Sequence, residues 1–324
     1  MSMKTAAHFR DSCPTMLVGV FVIVLLLSVL AVCIGASPSV SNTEAVQAYT
    51  SVWEGPRLAD GRPRVSDDIV QRMKNVSIEE AWAVLRNEGY HNQFDGNWKM
   101  IHEDVPVVGR ALTAQYMPTR PDVKKMIDEQ GKAEGRIGSS NSWPIDMLQK
   151  GDVYVADGFG KIVDGTLIGD NLGNSIFAKS GNGVVFDGSL RDLGGLQEIE
   201  GFNAFVRGWD PSFLREVMLT GINVPIRIGR AICLPGDIVL AKREGVIFIP
   251  AHLAEKVVKR AEAIMLRDRF GHQRLKEGKY TPGQIDGAWS EEIKADFFKW
   301  LEENMDELPI PKAVIKEILE KRTW

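Results

Sequence analysis

The segment of residues 165–195, GTLIGDNLGNSIFAKSGNGVVFDGSLRDLGG, most constrains the fold because it contains a glycine turn, a helix pattern, a strand and an Arg-Asp pair. Apolar residues at helical spacing predict a helix that begins near Asp170 or Asn171. The apolar run at residues 184–187 predicts a buried strand that ends at Gly188. A helix followed at once by a buried strand indicates a mixed α/β fold.

Residues with useful chemistry stand at both ends of this unit. Gly169 leaves backbone N–H groups accessible at the start of the helix, where the helix dipole favours an anion. Arg191 can bind a carboxylate through two parallel hydrogen bonds, and Asp192 can offer oxygen to a hard divalent cation. The spacing therefore predicts a site for a small oxo acid. An ordinary glycine turn and a surface ion pair remain the alternative at this stage.

Composition excludes several other classes of protein. The 324 residues are 25% charged and 44% hydrophobic with a net charge of −4, and no long basic run argues for nucleic-acid binding. Cys13 and Cys33 lie in or beside an N-terminal apolar segment, which leaves Cys233 as the one cysteine in the body of the chain. We therefore expect no disulfide framework or cysteine metal site there, and we predict that Cys233 is a buried small hydrophobic residue.

The N-terminal segment predicts export. Residues 16–34 form an uncharged apolar run whose length lies between that of a signal peptide and that of a membrane span. Lys4 and Arg10 precede the run, which favours a cytoplasmic N-terminus and an exported remainder. We therefore interpret residues 1–36 as a signal peptide or membrane anchor. The rest of the chain is expected in the periplasm or facing outside the cytoplasm, with membrane contact only if the segment is uncleaved.

The remaining chain divides into three regions by pattern. Residues 37–76 are expected to form a polar linker and an N-terminal wrap around the main domain. Residues 77–275 begin with a capping box at Ser77 and continue as a strand-rich α/β domain. Residues 276–324 are expected to form a helical C-terminal extension, because amphipathic, charged helix patterns dominate the chain after Pro250.

Four polar residues in two elaborated stretches are further candidates for lining the pocket. They lie in the YHNQFDGNW loop and in a glycine-rich stretch that could cover a site: His91, Asn92, Gln93 and Asn141. The pattern favours a packed or solvated loop position for each of them over a place in the pocket, and whether they line the site stays open.

Two reaction classes find no support in the pattern. No glycine-rich nucleotide turn directly follows the first strand with an acidic residue further on, which disfavours a methyltransferase or a dinucleotide enzyme. Lys161 and Lys179 flank the central unit, but nothing near them predicts the lowered pKa that Schiff-base catalysis needs.

Four strings resemble the RraA-like superfamily, which includes the regulator of ribonuclease activity A and the 4-hydroxy-4-methyl-2-oxoglutarate aldolases. They are GDNLGNSIFAKSGNGVVFDGSLRDLGGL, FVRG, NVPIRIGRAICLPGDIVLAKREGVIFIP and IDMLQKGDVYVADG. The resemblance extends over residues 77–274 and implies a β/β/α swivelling-domain core, here with an N-terminal membrane or signal segment and a C-terminal helical extension. It also implies a homotrimer or hexamer with the active site between subunits.

The resemblance further implies roles for individual residues. The residues that would hold a substrate carboxylate through backbone N–H groups form one turn: Gly169, Asp170, Asn171 and Leu172. Arg191 would bind the oxo oxygen or bridge to the carboxylate, and Asp192 would be the direct protein ligand of Mg²⁺ or Mn²⁺. Asp170 would sit beside a water ligand of that metal and help it to move protons.

These roles imply a divalent-metal-dependent lyase that cleaves a small 2-oxo acid by a retro-aldol reaction, decarboxylates one, or does both, and releases pyruvate or a related product. A sugar-acid dehydratase at the same site and a non-catalytic binding or regulatory protein remain the alternatives. Export disfavours a ribonuclease regulator, which works in the cytoplasm. The loop elaborations leave the identity of the substrate open.

Overall fold

The computed structural model describes residues 39–322, and a large mixed sheet organises them. Its strands and those of a small hairpin are, in chain order, β1 (Phe94–Asp95), β2 (Lys99–Met100), β3 (Val107–Pro118), β4 (Asp152–Asp157), β5 (Val184–Leu190), β6 (Ala204–Trp209), β7 (Val217–Ile222), β8 (Ile226–Ile228), β9 (Ala231–Cys233), β10 (Ile238–Lys242) and β11 (Gly245–Ile249).

The helices come between and after these strands. They are α1 (Thr43–Tyr49), α2 (Asp67–Met73), α3 (Ile78–Asn87), α4 (Pro121–Ala133), α5 (Trp143–Asp146), α6 (Asp170–Ser180), α7 (Leu193–Gln197), α8 (Ala254–Lys276), α9 (Pro282–Asp286), α10 (Glu291–Asn304) and α11 (Lys312–Lys321). The predicted capping box is present at the start of α3, where the Ser77 hydroxyl accepts from the Glu80 N–H and the Glu80 carboxylate accepts from the Ser77 N–H.

The strand order of the large sheet is β1-β11-β10-β3-β4-β5-β6-β2, and β7 pairs with β3. Strands β3, β4, β5 and β6 run parallel, and the remaining pairs in this sheet are antiparallel. Strands β8 and β9 form a separate antiparallel hairpin. The parallel centre brings the carboxyl ends of β4, β5 and β6 to one edge, which is where open α/β sheets bind ligands.

Alternation along the strands separates the two faces of the sheet. Val153 and Val155 of β4 pack with Ile228 of the hairpin, whereas Tyr154 and Ala156 pack in the core that helices α5, α6 and α7 cover. Over β10 and β11, the face turned away from the hairpin is covered by α2, α3 and α8. Small sheet, large sheet and helices thus form three layers, and the mixed α/β class with the expected β/β/α order is confirmed.

Strand β5 continues beyond its predicted end. We expected Gly188 to end the strand, but β5 runs on to Leu190. Its pairing with β6 shifts register between Phe186 and Ser189, so Gly188 lies within an irregular part of the ladder and does not terminate it. The two extra residues bring Arg191 directly to the end of a buried strand.

Residues 39–52, the described beginning of the expected linker and wrap, are not simply a polar linker. Helix α1 forms there, with the Asn42 side chain accepting a hydrogen bond from the Ala45 N–H, and Val46 is completely buried. Tertiary burial of one apolar side chain outweighs the weak helical pattern of so short a segment.

The predicted signal or anchor at residues 1–36 lies outside the described residues and stays a prediction. Within residues 39–322, no helix combines the length and the apolar character that a membrane crossing would require.

The C-terminal helices form their own apolar cluster around the second half of α8. Phe270 lies at its centre, with ring centroids 5.3 Å from Trp289, 5.4 Å from Phe297 and 5.8 Å from Trp300. These tilted and edge-on pairs are the arrangements that aromatic rings favour. The extension is therefore attached to the main domain through the length of α8.

Asp237, directly before β10, is a buried carboxyl group whose ionisation should make stability depend on pH. Burial raises its pKa to about 7, although its carboxylate accepts from the Leu234 N–H at 2.8 Å. Because the folded pKa lies above the unfolded one, Asp237 contributes stability that is fully present below about pH 4 and lost as pH rises through about 7. We expect Asp237→Asn, which keeps an acceptor, to gain roughly 2–3 kcal/mol in unfolding free energy relative to wild type between pH 5 and pH 8.

Urea unfolding at the two pH values measures this difference. Asp128→Asn is the matched control, because Asp128 is 39% exposed and paired with Lys124 on the surface. The control should leave the pH dependence unchanged. Parallel pH profiles for wild type and Asp237→Asn would contradict the assignment.

Candidate active site

A pocket of about 310 Å³ lies at the carboxyl end of β5. Residues 166–172 form one side, Arg191 and Asp192 form a second, and Phe213 lies on a third. All six residues predicted for the site line this one pocket. The structure thus brings together the turn before α6 and the Arg-Asp pair after β5, as the sequence predicts.

Backbone pairing holds the two sides together. Thr166 forms a parallel bridge with Ser189, and the Leu167 N–H donates to the Ser189 carbonyl at 3.0 Å. Beyond the strand, the Arg191 N–H donates to the Ile168 carbonyl at 3.1 Å. The segment before α6 therefore pairs with the end of β5, and main-chain hydrogen bonds fix its position.

The close approach of Gly169 and Asp192 requires a glycine. A Cβ atom at Gly169 would lie 2.2 Å from Asp192 Oδ2 and 3.3 Å from Arg191 Nε. A Cβ at Gly195 would likewise lie 2.6 Å from Asp170 Oδ2. Each carboxylate thus lies against bare backbone, and a side chain in either place would displace it.

The first turn of α6 has open hydrogen-bond donors. Gly169 is its N-cap and supplies no side-chain acceptor. The Asn171 N–H donates to Asp170 Oδ1 at 2.7 Å, but within the described residues the N–H groups of Asp170 and Leu172 meet no protein acceptor. Two free donors at the positive end of a helix form a binding place for a small anion.

Neighbouring side chains orient Arg191 but leave most of its hydrogen-bond donors available. Its guanidinium carbon lies 4.8 Å from the centroid of the Phe213 ring, and its Nε lies 3.5 Å from Asp192 Oδ2. The side chain is 35% exposed and makes no closer polar contact with another described residue. Stacking on Phe213 therefore holds a guanidinium whose donors remain available to a ligand.

Asp192 adopts a conformation that few non-glycine residues take. Its φ and ψ are 58° and 42°, in the left-handed region, and its carbonyl accepts from the Leu196 N–H to begin α7. Such conformations cost of order 1 kcal/mol and are common at functional sites. This backbone geometry directs the Asp192 carboxylate toward Gly169.

The oxygen donors of the pocket fit a hard divalent cation. The Asp192 side chain is 40% exposed, and Oδ2 of Asp170 lies against the Gly195 backbone in the same pocket region. Mg²⁺ is commonly bound by one or two carboxylates and keeps several waters, which a small open pocket allows. No group of three or more His, Cys, Asp or Glu side chains suited to a metal occurs within residues 39–322. The predicted arrangement needs only one direct protein ligand.

Of the four loop residues whose role the sequence left open, one lines the pocket and three do not. Asn141 lines the pocket, and its amide donates to the Leu167 carbonyl at 2.9 Å. Three residues lie outside the pocket in the described chain: His91, Asn92 and Gln93. The Gln93 amide instead donates to the buried Phe248 carbonyl at 2.7 Å. Lys161 and Lys179 are engaged in surface ion pairs with Glu216 and Asp146.

Phe213 is the pocket residue that sequence reasoning missed. It is 53% exposed and belongs to a segment without helical or strand periodicity. Its contact with Arg191 is long-range, so no local pattern could have pointed to it.

The fold and this pocket define an α/β protein in which a helix start with open N–H groups lies opposite an Arg-Asp pair. A family model described as RraA-like, Aldolase/RraA, matches residues 62–248, which is more than half of the chain. The chain therefore belongs to the RraA-like family.

Two curated relatives are similar over part of their length. Protein DlpA of Legionella pneumophila is 26% identical over 200 residues, covering 61% of this chain and 29% of that protein. A putative 4-hydroxy-4-methyl-2-oxoglutarate aldolase of Halalkalibacterium halodurans is 30% identical over 112 residues, covering 35% of this chain and 52% of that protein. The chain thus aligns with about half or less of these relatives.

Two solved structures share the fold. Streptomyces coelicolor RraAS2, described as an unusual member of the RNase ES inhibitor RraA protein family, is 28% identical with a TM-score of 0.57, covering 65% of this chain and 100% of that one. An uncharacterised protein of Pseudomonas syringae has a TM-score of 0.58 at 22% identity over 72% of this chain and 98% of that one, which supports the fold alone.

The glycine requirement at position 169 can be tested directly. We expect Gly169→Ala to push the Asp192 carboxylate away by about 1 Å or more and to cost about 1–3 kcal/mol of unfolding free energy, because the added methyl overlaps Oδ2. Gly194→Ala is the matched control, since a Cβ there meets nothing within 4 Å. A crystal structure and thermal unfolding of both variants measure the effect. An undisplaced Asp192 in Gly169→Ala would refute the close approach.

Proposed function

We propose that this protein is a divalent-metal-dependent lyase that acts on a small 2-oxo acid by retro-aldol cleavage, decarboxylation or both, releasing pyruvate or a related product. The observation that carries the proposal is the convergence of open N–H groups, a guanidinium and a carboxylate on one 310 Å³ pocket. The relative named as a putative 4-hydroxy-4-methyl-2-oxoglutarate aldolase supports the reaction class.

Substrate binding in this proposal uses the two free donors of α6. The substrate carboxylate would accept from the N–H groups of Asp170 and Leu172, where the helix dipole adds favourable charge. The adjacent 2-oxo oxygen would then lie toward Arg191, whose stacked guanidinium can donate to it. Arg191 would stabilise the negative charge that develops on this oxygen when the C–C bond breaks.

Proton transfer in this proposal depends on the two carboxylates. A divalent cation held by Asp192 would supply Lewis acidity toward the 2-oxo group. Asp170, through one water, would accept the proton of the 4-hydroxyl group, which becomes a carbonyl as the C3–C4 bond breaks and its electron pair passes to the pyruvate fragment. The same proton returned to that fragment's carbon would complete the cleavage.

Substitution of the pair after β5 tests the proposal. We expect Asp192→Asn and Arg191→Lys to lower kcat/KM by about 10²–10³, because each removes a group that acts on developing charge. Pyruvate release from 4-hydroxy-4-methyl-2-oxoglutarate and from oxaloacetate, with Mg²⁺, Mn²⁺ or a chelator, is the measurement.

The controls keep charge and exposure matched. Asp128→Asn removes a carboxylate of similar exposure, and Arg215→Lys alters a guanidinium 5.7 Å from the same Phe213 ring but outside the pocket lining. Both should retain wild-type turnover. Absence of turnover on both acids with every metal would refute the lyase.

A non-catalytic regulatory role is the second candidate. It is favoured by the solved structure that is described as a member of an RNase inhibitor family and is covered over its whole length. Inhibition of a purified endoribonuclease by this protein, undiminished in Asp192→Asn, would support that role.

We further propose that the chain assembles as a homotrimer or hexamer beside this pocket. Three exposed apolar side chains lie in segments that adjoin it: Ile137, Val163 and Phe213, which are 82%, 56% and 53% exposed. Apolar surface of this kind is enriched at subunit contacts.

Phe213→Ser is expected to reduce the solution mass to that of a smaller species, since it removes the aromatic member of this set. Light scattering after size exclusion measures the mass. Trp82→Ser is the control, because Trp82 is 44% exposed on α3 and does not line the pocket. A monomeric wild type would contradict the proposal.

A further inference from the structure

A second pocket, of about 590 Å³, lies at the amino ends of the parallel strands. Its walls come from α2, the beginnings of β3 and β4, and the turn after α6. Four cationic side chains line it: Arg64, Lys74, Arg110 and Lys150. We refer to it as the basic pocket.

Arg110 is the buried member of the basic pocket. It is 4% exposed, and its Nη1 donates to the Val65 carbonyl at 2.8 Å and to Asp67 Oδ1 at 2.9 Å. Its Nη2 donates to the Lys150 carbonyl at 2.9 Å, whereas its Nε is buried without a partner. The guanidinium is thus held at the wall of the pocket, and three of its five N–H groups are engaged with these acceptors.

The acidic residues of the pocket do not balance its cations. Asp152 is completely buried and already paired with Arg62 at 2.8 Å, and Asp67 is paired with Arg110. In the described chain, the other three lining cations form no ion pair: Arg64, Lys74 and Lys150.

The cations of the basic pocket lower the pKa of the Asp67 carboxyl. Its hydrogen bond with Arg110 lowers the pKa of this carboxyl, and the charges of Arg64 and Lys150 lower it further. Arg64 and Lys150 therefore act on the same place as the buried guanidinium.

We propose that the basic pocket binds the phosphate group of a small metabolite or free phosphate. A phosphate group carries a charge of about −1.5 to −2 at pH 7 and three strong acceptor oxygens, which matches three cations without ion pairs beside a buried, fixed guanidinium. The volume exceeds that of phosphate alone, so it leaves room for a small organic part.

The basic pocket is separate from the candidate active site. Helix α6 starts at the active-site pocket with Asp170 and ends before Gly181, which lines the basic pocket. Its 11 residues span about 16 Å. A ligand in one pocket cannot reach the donors of the other.

Calorimetric titration of the full chain with inorganic phosphate, glycerol 3-phosphate and succinate tests the proposal. We expect saturable binding of both phosphates and at least about tenfold weaker binding in the double variant Arg64→Gln/Lys150→Gln, which removes two exposed cations without touching the core. Tighter binding of glycerol 3-phosphate than of phosphate would assign the site to a phosphorylated metabolite, and the reverse order would assign it to free phosphate.

Two controls locate the binding. Lys125→Gln/Lys299→Gln removes two lysines that are 77% and 73% exposed elsewhere, and it should bind phosphate as wild type does. Arg191→Ala should also retain phosphate binding, which separates this site from the candidate active site. Absence of saturable binding, equal affinity in Arg64→Gln/Lys150→Gln, loss in Arg191→Ala, or a preference for succinate would each overturn the proposal.

Discussion

The candidate active site depends on the close approach between the Gly169 backbone and the Asp192 carboxylate. This approach needs a residue without Cβ on one side and a left-handed backbone on the other. It also needs β5 to continue as far as Leu190, because the Arg191 N–H then pairs with the Ile168 carbonyl and aligns the two segments. Three local features of the chain thus have to agree before the donors, the guanidinium and the carboxylate share one pocket.

The two ends of helix α6, which carry partial charges of opposite sign, lie at the two pockets. Its N-terminus, with partial positive charge, faces the active-site pocket, where Arg191 supplies a guanidinium and is the one Arg among the described lining residues. Its C-terminus carries partial negative charge and ends beside the basic pocket, where the Gly151 N–H donates to the Ser180 carbonyl and Lys150 lies next in sequence. Cations near a helix C-terminus are favourable, so the basic pocket is compatible with the stability of α6.

The sequence predicted those features that depend on neighbours along the chain. The start of α6 and the capping box at Ser77 follow from local hydrogen bonding and periodicity. The hairpin of β8 and β9 could not be predicted in this way, because the left-handed turn at Gly229 leaves no mark in the apolar pattern. The stacking of Phe213 on Arg191 was missed for a related reason, since it joins segments that only the folded sheet brings together.

The cost of the candidate site argues that it is retained for function. Asp192 in the left-handed region costs of order 1 kcal/mol, and the glycine N-cap at Gly169 gives up a few tenths of a kcal/mol relative to a Ser, Asp or Asn cap. A scaffold selected for stability alone would remove both features. Their coincidence on one pocket, beside a guanidinium held by stacking, is the pattern expected when donors are kept free for a ligand.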